Sequence, residues 1–261
     1  MIEEAVRGSV ALSLDGGRSA IVDAGDPGDR AGFLVQVDCA TPGAISLGRD
    51  LLIYGDFEDH DVDGRRGENA VWWQTDNVYP SPAAARTGAI GMALFRQVGT
   101  TTSVHTNIRN RVAIDPDAGL SLRFAVRGQG AGAWQLSLEW VRLDSREILR
   151  HEVVVDDAGG DFAWRLYRLE LQPPAEAGYL RLRLDMAAPV DGGGGSLYTD
   201  DWSLIQWQRE FSPGEVIPAP HNWTHWFFQA DDAAATQAAC ALRWRRYRRG
   251  AVVQAFAQAD R

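Results

Sequence analysis

Hydrophobic residues recur at every second position through most of this chain. Leu120, Leu122, Phe124 and Val126 interleave with Ser121, Arg123, Ala125 and Arg127. Trp134, Leu136, Leu138 and Trp140 alternate with Gln135, Ser137 and Glu139, and Leu180, Leu182, Leu184 and Met186 with Arg181, Arg183 and Asp185. Successive side chains of a strand point to opposite faces, so this period predicts strands with one buried and one solvated face. Further strands are predicted at 51–58, 89–96, 102–109, 147–155, 163–171 and 196–207. Turn-forming clusters separate them: Asp115-Pro116-Asp117, Gly128 to Gly132, Asp157 to Asp161, Pro173-Pro174 and Asp191 to Gly195. With no helical period between the strands, the predicted fold class is all-β, a β-sandwich or jelly roll.

Three blocks divide the chain. Residues 49–207 carry the long run of strands. Residues 1–48 are short strands joined by DGG and DAGDPGD, and residues 208–261 open on the loop SPGEVIPAPHN. The Ala-rich stretch 231–242 has helical propensity, but a hairpin of LRWRRY and AVVQAFAQ around Arg248-Arg249-Gly250 is the preferred reading. Each flank is short for a core of its own. The two are therefore expected to combine into one small composite β domain, with the jelly roll inserted between them. Cys39 and Cys240 would then share a domain, and a disulfide between them needs their Cα atoms within roughly 7 Å.

Composition narrows the function classes. There are 35 acidic residues against 26 basic ones, all arginine, for a net charge of −9. That balance argues against general nucleic-acid binding, which depends on clustered positive charge. No apolar run approaches the roughly 20 residues of a membrane span. The first residues lack a basic segment followed by an apolar one, so no signal peptide is read there. Two cysteines are too few for a disulfide scaffold or a cysteine zinc site.

The segment LLIYGDFE, Leu51 to Glu58, resembles the opening of β-jelly-roll carbohydrate-binding modules of families 4, 9 and 22 and their galactose-binding-like relatives. Three further features follow in that family's order: Arg86-Thr87-Gly88 before AIGMALFR, the strand WRLYRLEL from Trp164 to Leu171, and the closing LYTDDWSL from Leu197 to Leu204. The resemblance covers about residues 49–207. Tyr54 stands where the family usually has Asn, and Trp202 where it usually has a small aliphatic residue. The resemblance implies a structural Ca²⁺ tying the first strand to the last. By position its ligands would be Asp56 through a backbone oxygen, the carboxylate of Glu58, a carbonyl of Thr87 or Gly88, and the carboxylate of Asp200. Strand phase puts Asp200 on one face with Trp202 and Leu204, pointing inward, where a buried carboxylate needs a counter-charge. Solvated acids, or acids paired with arginine, are the plainer alternative. Asp59 to Gly64 reproduces half of an EF-hand loop, but Ala70 stands where a bidentate Glu is required, so an acidic surface loop is expected there.

Sugar recognition needs aromatic faces for stacking and polar groups at fixed angles around them. Of ten tryptophans, Trp134 and Trp140 are in phase with core leucines, and Trp164 and Trp202 lie in framework strands. Trp72 and Trp73 are adjacent, so one of them is expected to be exposed; Trp73 or Tyr79 is the candidate stacking wall. His105, Asn107, Arg109, Arg123, Gln135 and Glu139 face outward and are the candidate polar floor, provided that they share one sheet. A merely solvated face is the competing reading.

No G-x-S-x-G elbow, H-E-x-x-H helix or phosphate-cradling glycine loop occurs, and the histidines are scattered. His221 and His225 lack a third ligand. The cluster Arg243, Arg245, Arg246, Arg248 and Arg249 is expected to protect an edge strand. The sequence thus leads to a non-catalytic carbohydrate-binding or carbohydrate-binding-like module of a larger extracytoplasmic protein, with polysaccharide as partner. Its rival is a structural or protein-docking jelly roll without sugar binding.

Overall fold

The computed structural model describes residues 7–12, 19–23, 31–39, 45–52, 54–58, 73–95, 101–106, 111–187, 194–208, 216–219, 225–230 and 240–248. The described residues are overwhelmingly strand, with one short 3₁₀ turn, Pro82–Ala84. No helix among them is long and apolar enough to cross a membrane. The chain divides into two compact units, residues 51–206 and residues 1–50 with 207–261.

The N-terminal flank supplies β1 (Arg7–Leu12), β2 (Ser19–Asp23), β3 (Ala31–Cys39) and β4 (Ile45–Asp50). Next come β5 (Trp73–Asp76), β6 (Val78–Ser81), β7 (Gly91–Phe95), β8 (Thr102–Thr106) and β9 (Val112–Ala113). They are followed by β10 (Gly119–Ala131), β11 (Trp134–Arg142), β12 (Ile148–Asp157) and β13 (Gly160–Leu171). After β14 (Ala177–Met186) and β15 (Ser196–Gln208), the C-terminal flank adds β16 (Val216–Ala219), β17 (His225–Ala230) and β18 (Cys240–Arg248).

In the flanking unit β18 pairs antiparallel with both β1 and β3, and β16 pairs with β3, so the arginine-bearing strand is an interior strand of its sheet and not the expected edge. Strand β17 pairs with β2 and β4. Strands from the two ends of the chain are thus hydrogen-bonded to one another. Cys240 to Leu242 begins β18, which removes the helical alternative there. The second half of the expected hairpin lies outside the described residues, as do His221, Arg249 and the acidic stretch Asp59 to Gly64.

The unit 51–206 is a sandwich of two antiparallel sheets. One runs β13-β10-β15, with β7 on β15 and β6 on β7; the other runs β12-β11-β14-β8-β5, with β9 on β14. Alternation dictates the core between them. Leu122, Phe124 and Val126 of β10 meet Leu136, Leu138 and Trp140 of β11 and Leu182 and Leu184 of β14, all buried. Each such side chain contributes about 1.5–3 kcal/mol by leaving water. An aromatic chain crosses the core: Phe124 to Trp202 at 4.9 Å, Trp202 to Trp73 at 5.7 Å, and Trp73 to Phe57 at 5.1 Å between ring centroids.

Two expectations fail locally. The strand predicted at 51–58 is a turn, because Tyr54 and Phe57 have φ of 55° and 58°, a left-handed conformation incompatible with extended backbone. The Phe57 N–H donates to the Tyr54 carbonyl at 3.2 Å. The second concerns the phase of β15. Leu197 lies in the main core, while Tyr198 belongs to a separate small cluster with Ala84 and Ala93. By the two-residue period Asp200 goes with Tyr198. Asp201, at φ 55°, then resets the phase so that Trp202 and Leu204 rejoin the core. Asp200 is therefore buried under a loop and not against the core.

Candidate functional site

The loop 86–90 is held between two carboxylates. Asp200 Oδ2 accepts the Arg86 N–H at 2.6 Å and the Thr87 N–H at 3.2 Å, and its Oδ1 accepts the Asp201 N–H at 2.8 Å. Glu58 Oε1 accepts the Ala89 and Ile90 N–H groups at 2.8 and 2.9 Å. The Arg86 guanidinium and the Thr87 hydroxyl both go to Asp201. Asp200 is fully buried, and among the described residues no cationic side chain meets it. Burial, with the adjacent Asp201 charge, pushes its carboxyl up to about 7 against the opposing pull of the three amides. Glu58, Thr87, Gly88 and Asp200 are thus brought together. Asp56 is exposed, and its Oδ1 accepts the Glu58 N–H at 3.4 Å.

These groups offer hard oxygens on both sides of Gly88, and a buried carboxylate lacking a counter-charge suits a hard cation. Among the described residues no three Asp, Glu, His or Cys side chains gather into one metal cage. A cation there would draw side-chain ligands from Glu58 and Asp200 and the remainder from backbone oxygens.

A second set of polar groups occupies the outer face of the β11 sheet. Cross-strand register aligns Gln74, His105, Arg183 and Ser137 in one row. Their neighbours Val104, Leu184 and Leu136 point into the core, which fixes the row on the outside. The adjacent row holds Asp76, Ser103, Asp185 and Gln135, and the row on the other side pairs Arg181 with Glu139. Arg183 Nε lies 2.9 and 2.8 Å from the two oxygens of Asp185, and that bond raises its pKa. Arg181 is ion-paired with Glu139. Ser103 donates to Asp76 Oδ2 at 2.9 Å. Although they face outward, Ser103, Ser137 and Asp185 are at most 9% exposed, so neighbouring side chains close over them.

His105 is half-buried in the middle of this floor. Its Nδ1 lies 3.3 Å from the Thr106 carbonyl, which sets the tautomer protonated at Nδ1 and leaves Nε2 as an acceptor. Nε2 is 4.0 Å from Asp76 Oδ2. Burial lowers the His105 pKa below 6.5, with Arg183 and Arg181 acting in the same direction; the Thr106 carbonyl and Asp76 oppose them.

The other candidates are placed differently from expectation. Trp73 is 3% exposed and offers no stacking wall, because its phase in β5 turns it onto Phe57 and Trp202. Tyr79 is 53% exposed but belongs to β6 of the β10 sheet, where its ring tilts against Phe95 at 5.9 Å. Arg123 also lies on the β10 sheet, opposite Arg168, and burial lowers its pKa. The expected site is therefore split: the floor residues His105 and Glu139 share one sheet, while the floor residue Arg123 and the candidate wall Tyr79 share the other. Trp72, Asn107 and Arg109 lie outside the described residues.

Sequence reasoning missed Gln74, Asp76, Arg181, Arg183 and Asp185 as floor residues. The signal was present in the polar positions of RLRLD, but which strand lies beside β8 is decided by pairing. It also missed the outer face of the β10 sheet. There the Arg127 guanidinium lies 4.5 Å from the ring of Tyr198 and 5.3 Å from that of Trp164, and the Tyr198 hydroxyl donates to Gln129 Oε1 at 3.2 Å.

No family model matches the sequence, and no curated protein matches it. Among solved structures, the chain is similar to a family 61 carbohydrate-binding module in complex with β-1,4-galactotriose (12% identity, 60% of this chain and 99% of that one, TM-score 0.42). It is also similar to a family 22 xylan-binding domain from Paenibacillus barcinonensis (14% identity, 61% and 95%, TM-score 0.43). A third similar structure is an arabinose-bound α-L-arabinofuranosidase (14% identity, 66% of this chain and 32% of that one, TM-score 0.43).

Proposed function

We propose that the sandwich is a non-catalytic glycan-binding module of a larger extracytoplasmic protein, with the outer face of the β11 sheet as its binding floor. The observation that carries this reading is the preorganised Arg183–Asp185 pair beside neutral His105 and the Arg181–Glu139 pair. A sugar hydroxyl both donates and accepts. Here a guanidinium supplies donors, while carboxylates and His105 Nε2 supply acceptors, all on strands whose backbone is fixed. The resemblance read from GDFE and TDDWSL points the same way.

We further propose a structural Ca²⁺ held by Glu58 and Asp200, with backbone oxygens near Thr87 and Gly88. The ion would neutralise the buried Asp200 charge and join the turn after Leu52 to β15 without touching the glycan. Asp200→Asn tests it by a readout independent of binding. Asn keeps one of the two acceptor oxygens, so in chelator the substitution should lower the melting temperature only slightly; with calcium present the drop should be clearly larger. An equal effect in both conditions rejects the ion.

Affinity electrophoresis against neutral and acidic polysaccharides tests the floor. Arg183→Gln and His105→Ala should each weaken binding about tenfold or more, the worth of one charged or well-placed hydrogen bond, while Tyr79→Ala on the opposite sheet should not. A loss with Tyr79→Ala alone moves the site to the β10 sheet. The protein-docking reading has its own support, since the described floor residues include no tryptophan, tyrosine or phenylalanine. Retention by no polysaccharide decides for it.

A further inference from the structure

The flanking unit brings the chain's two cysteines into direct register. Cys39 is the last residue of β3 and Cys240 the first of β18, and they are antiparallel partners. Partners in such a pair share one face of the sheet, with Cα atoms about 4.5 or 5.5 Å apart depending on the type of position. Both values lie inside the range that a disulfide spans. The sequence has 261 residues and only these two cysteines. They are separated by most of the chain, yet pairing of the termini places them opposite each other. One residue of slip in the register would put them on opposite faces.

We propose that Cys39 and Cys240 form an intramolecular disulfide that closes the flanking unit covalently. The two thiols lose two electrons and two protons as the S–S bond forms. A low-molecular-weight disulfide such as oxidised glutathione accepts them, its own S–S bond breaking to give two thiols. The link sits where the β3–β18 ladder ends, which is where strands fray first. The reduced unfolded chain has great freedom between residues 39 and 240, and the crosslink removes much of it. The segment between residues 39 and 240 is then one covalently closed loop. A bond of this kind persists in an oxidising compartment. The assignment does not depend on the glycan reading.

The test uses the full chain, equilibrated in a glutathione buffer poised like the secretory pathway, then denatured, alkylated and weighed by mass spectrometry. The expected product is a monomer lighter by two hydrogen atoms than the dithiol, taking up no alkylating group until it is reduced. Proteolysis should yield a peptide pair joining residues 39 and 240. Reduction should lower the melting temperature of the wild type by several degrees. Cys39→Ser and Cys240→Ser, alone or together, should match the reduced wild type and gain nothing from oxidant. Two alkylated thiols after equilibration, or a disulfide joining two chains, overturns the proposal. If both serine variants fail to fold, the alkylation of the wild type alone still decides it.

Discussion

The Glu58 carboxylate occupies the space that a side chain on residue 88 would need. A Cβ on Gly88 would stand 2.3 Å from Glu58 Oε1, and Gly88 has φ +64°, where an L-residue is strained. Gly88→Ala must therefore displace the carboxylate from the Ala89 and Ile90 amides. The expected loss is about 2–3 kcal/mol, read as a lowered urea midpoint. A variant as stable as the wild type would show that Glu58 does not clasp this loop.

Thr199 links two strands and a ring. The Trp202 Nε1–H donates to Thr199 Oγ1 at 2.6 Å, and that hydroxyl donates to the Ala125 carbonyl at 2.9 Å, all of it buried. Thr199→Val keeps the shape and strands the indole donor. Stability should fall by about 1–3 kcal/mol, and Thr199→Ser should restore most of it if packing around the methyl is secondary.

Trp73 and Tyr79 separate burial from exposure within one stretch of chain. Trp73→Ala opens a large cavity between Phe57 and Trp202 and should cost about 3–5 kcal/mol. Tyr79→Ala should stay within about 0.5 kcal/mol of wild type. Thermal melts of the two variants check this, and similar losses in both would contradict the assignment of Trp73 to the core.

The pH dependence follows from His105. Its folded pKa lies below 6.5, first because of burial and then because of Arg183 and Arg181, against Thr106 and Asp76. Above 6.5 the ring is neutral in both states and its contribution is complete. As pH falls below 6.5 the unfolded chain takes the proton first, so stability declines towards the folded pKa. His105→Gln should flatten that limb of the stability profile; an unchanged slope assigns it to other groups.

Much of the sandwich is legible in the chain. The alternation of Leu120 to Val126, Trp134 to Trp140 and Leu180 to Met186 marks strands and core faces because a half-buried strand admits no other pattern. Less was visible around residues 51–58, where a hydrophobic run followed by GDFE looks extended. Its left-handed Tyr54 and Phe57 accompany a long-range contact, Phe57 against Trp73, that no local pattern encodes. In the same way the positive φ of Asp201 breaks the phase of β15, so Asp200 was identified as buried for an incorrect reason. The floor was half seen. His105 and Glu139 are outward by phase, but phase says nothing of which sheet an outward residue belongs to.

The sequence by itself determined most of the sandwich strands, their buried faces and the turns between them, since these depend on a two-residue period and on local backbone chemistry. Only the tertiary structure decided which strands are neighbours. That choice put Arg183 beside His105 and Arg123 on the opposite sheet, buried Trp73, and set Cys39 across from Cys240. Pairing between distant strands is selected by the fit of whole faces, a property that no short window of residues contains.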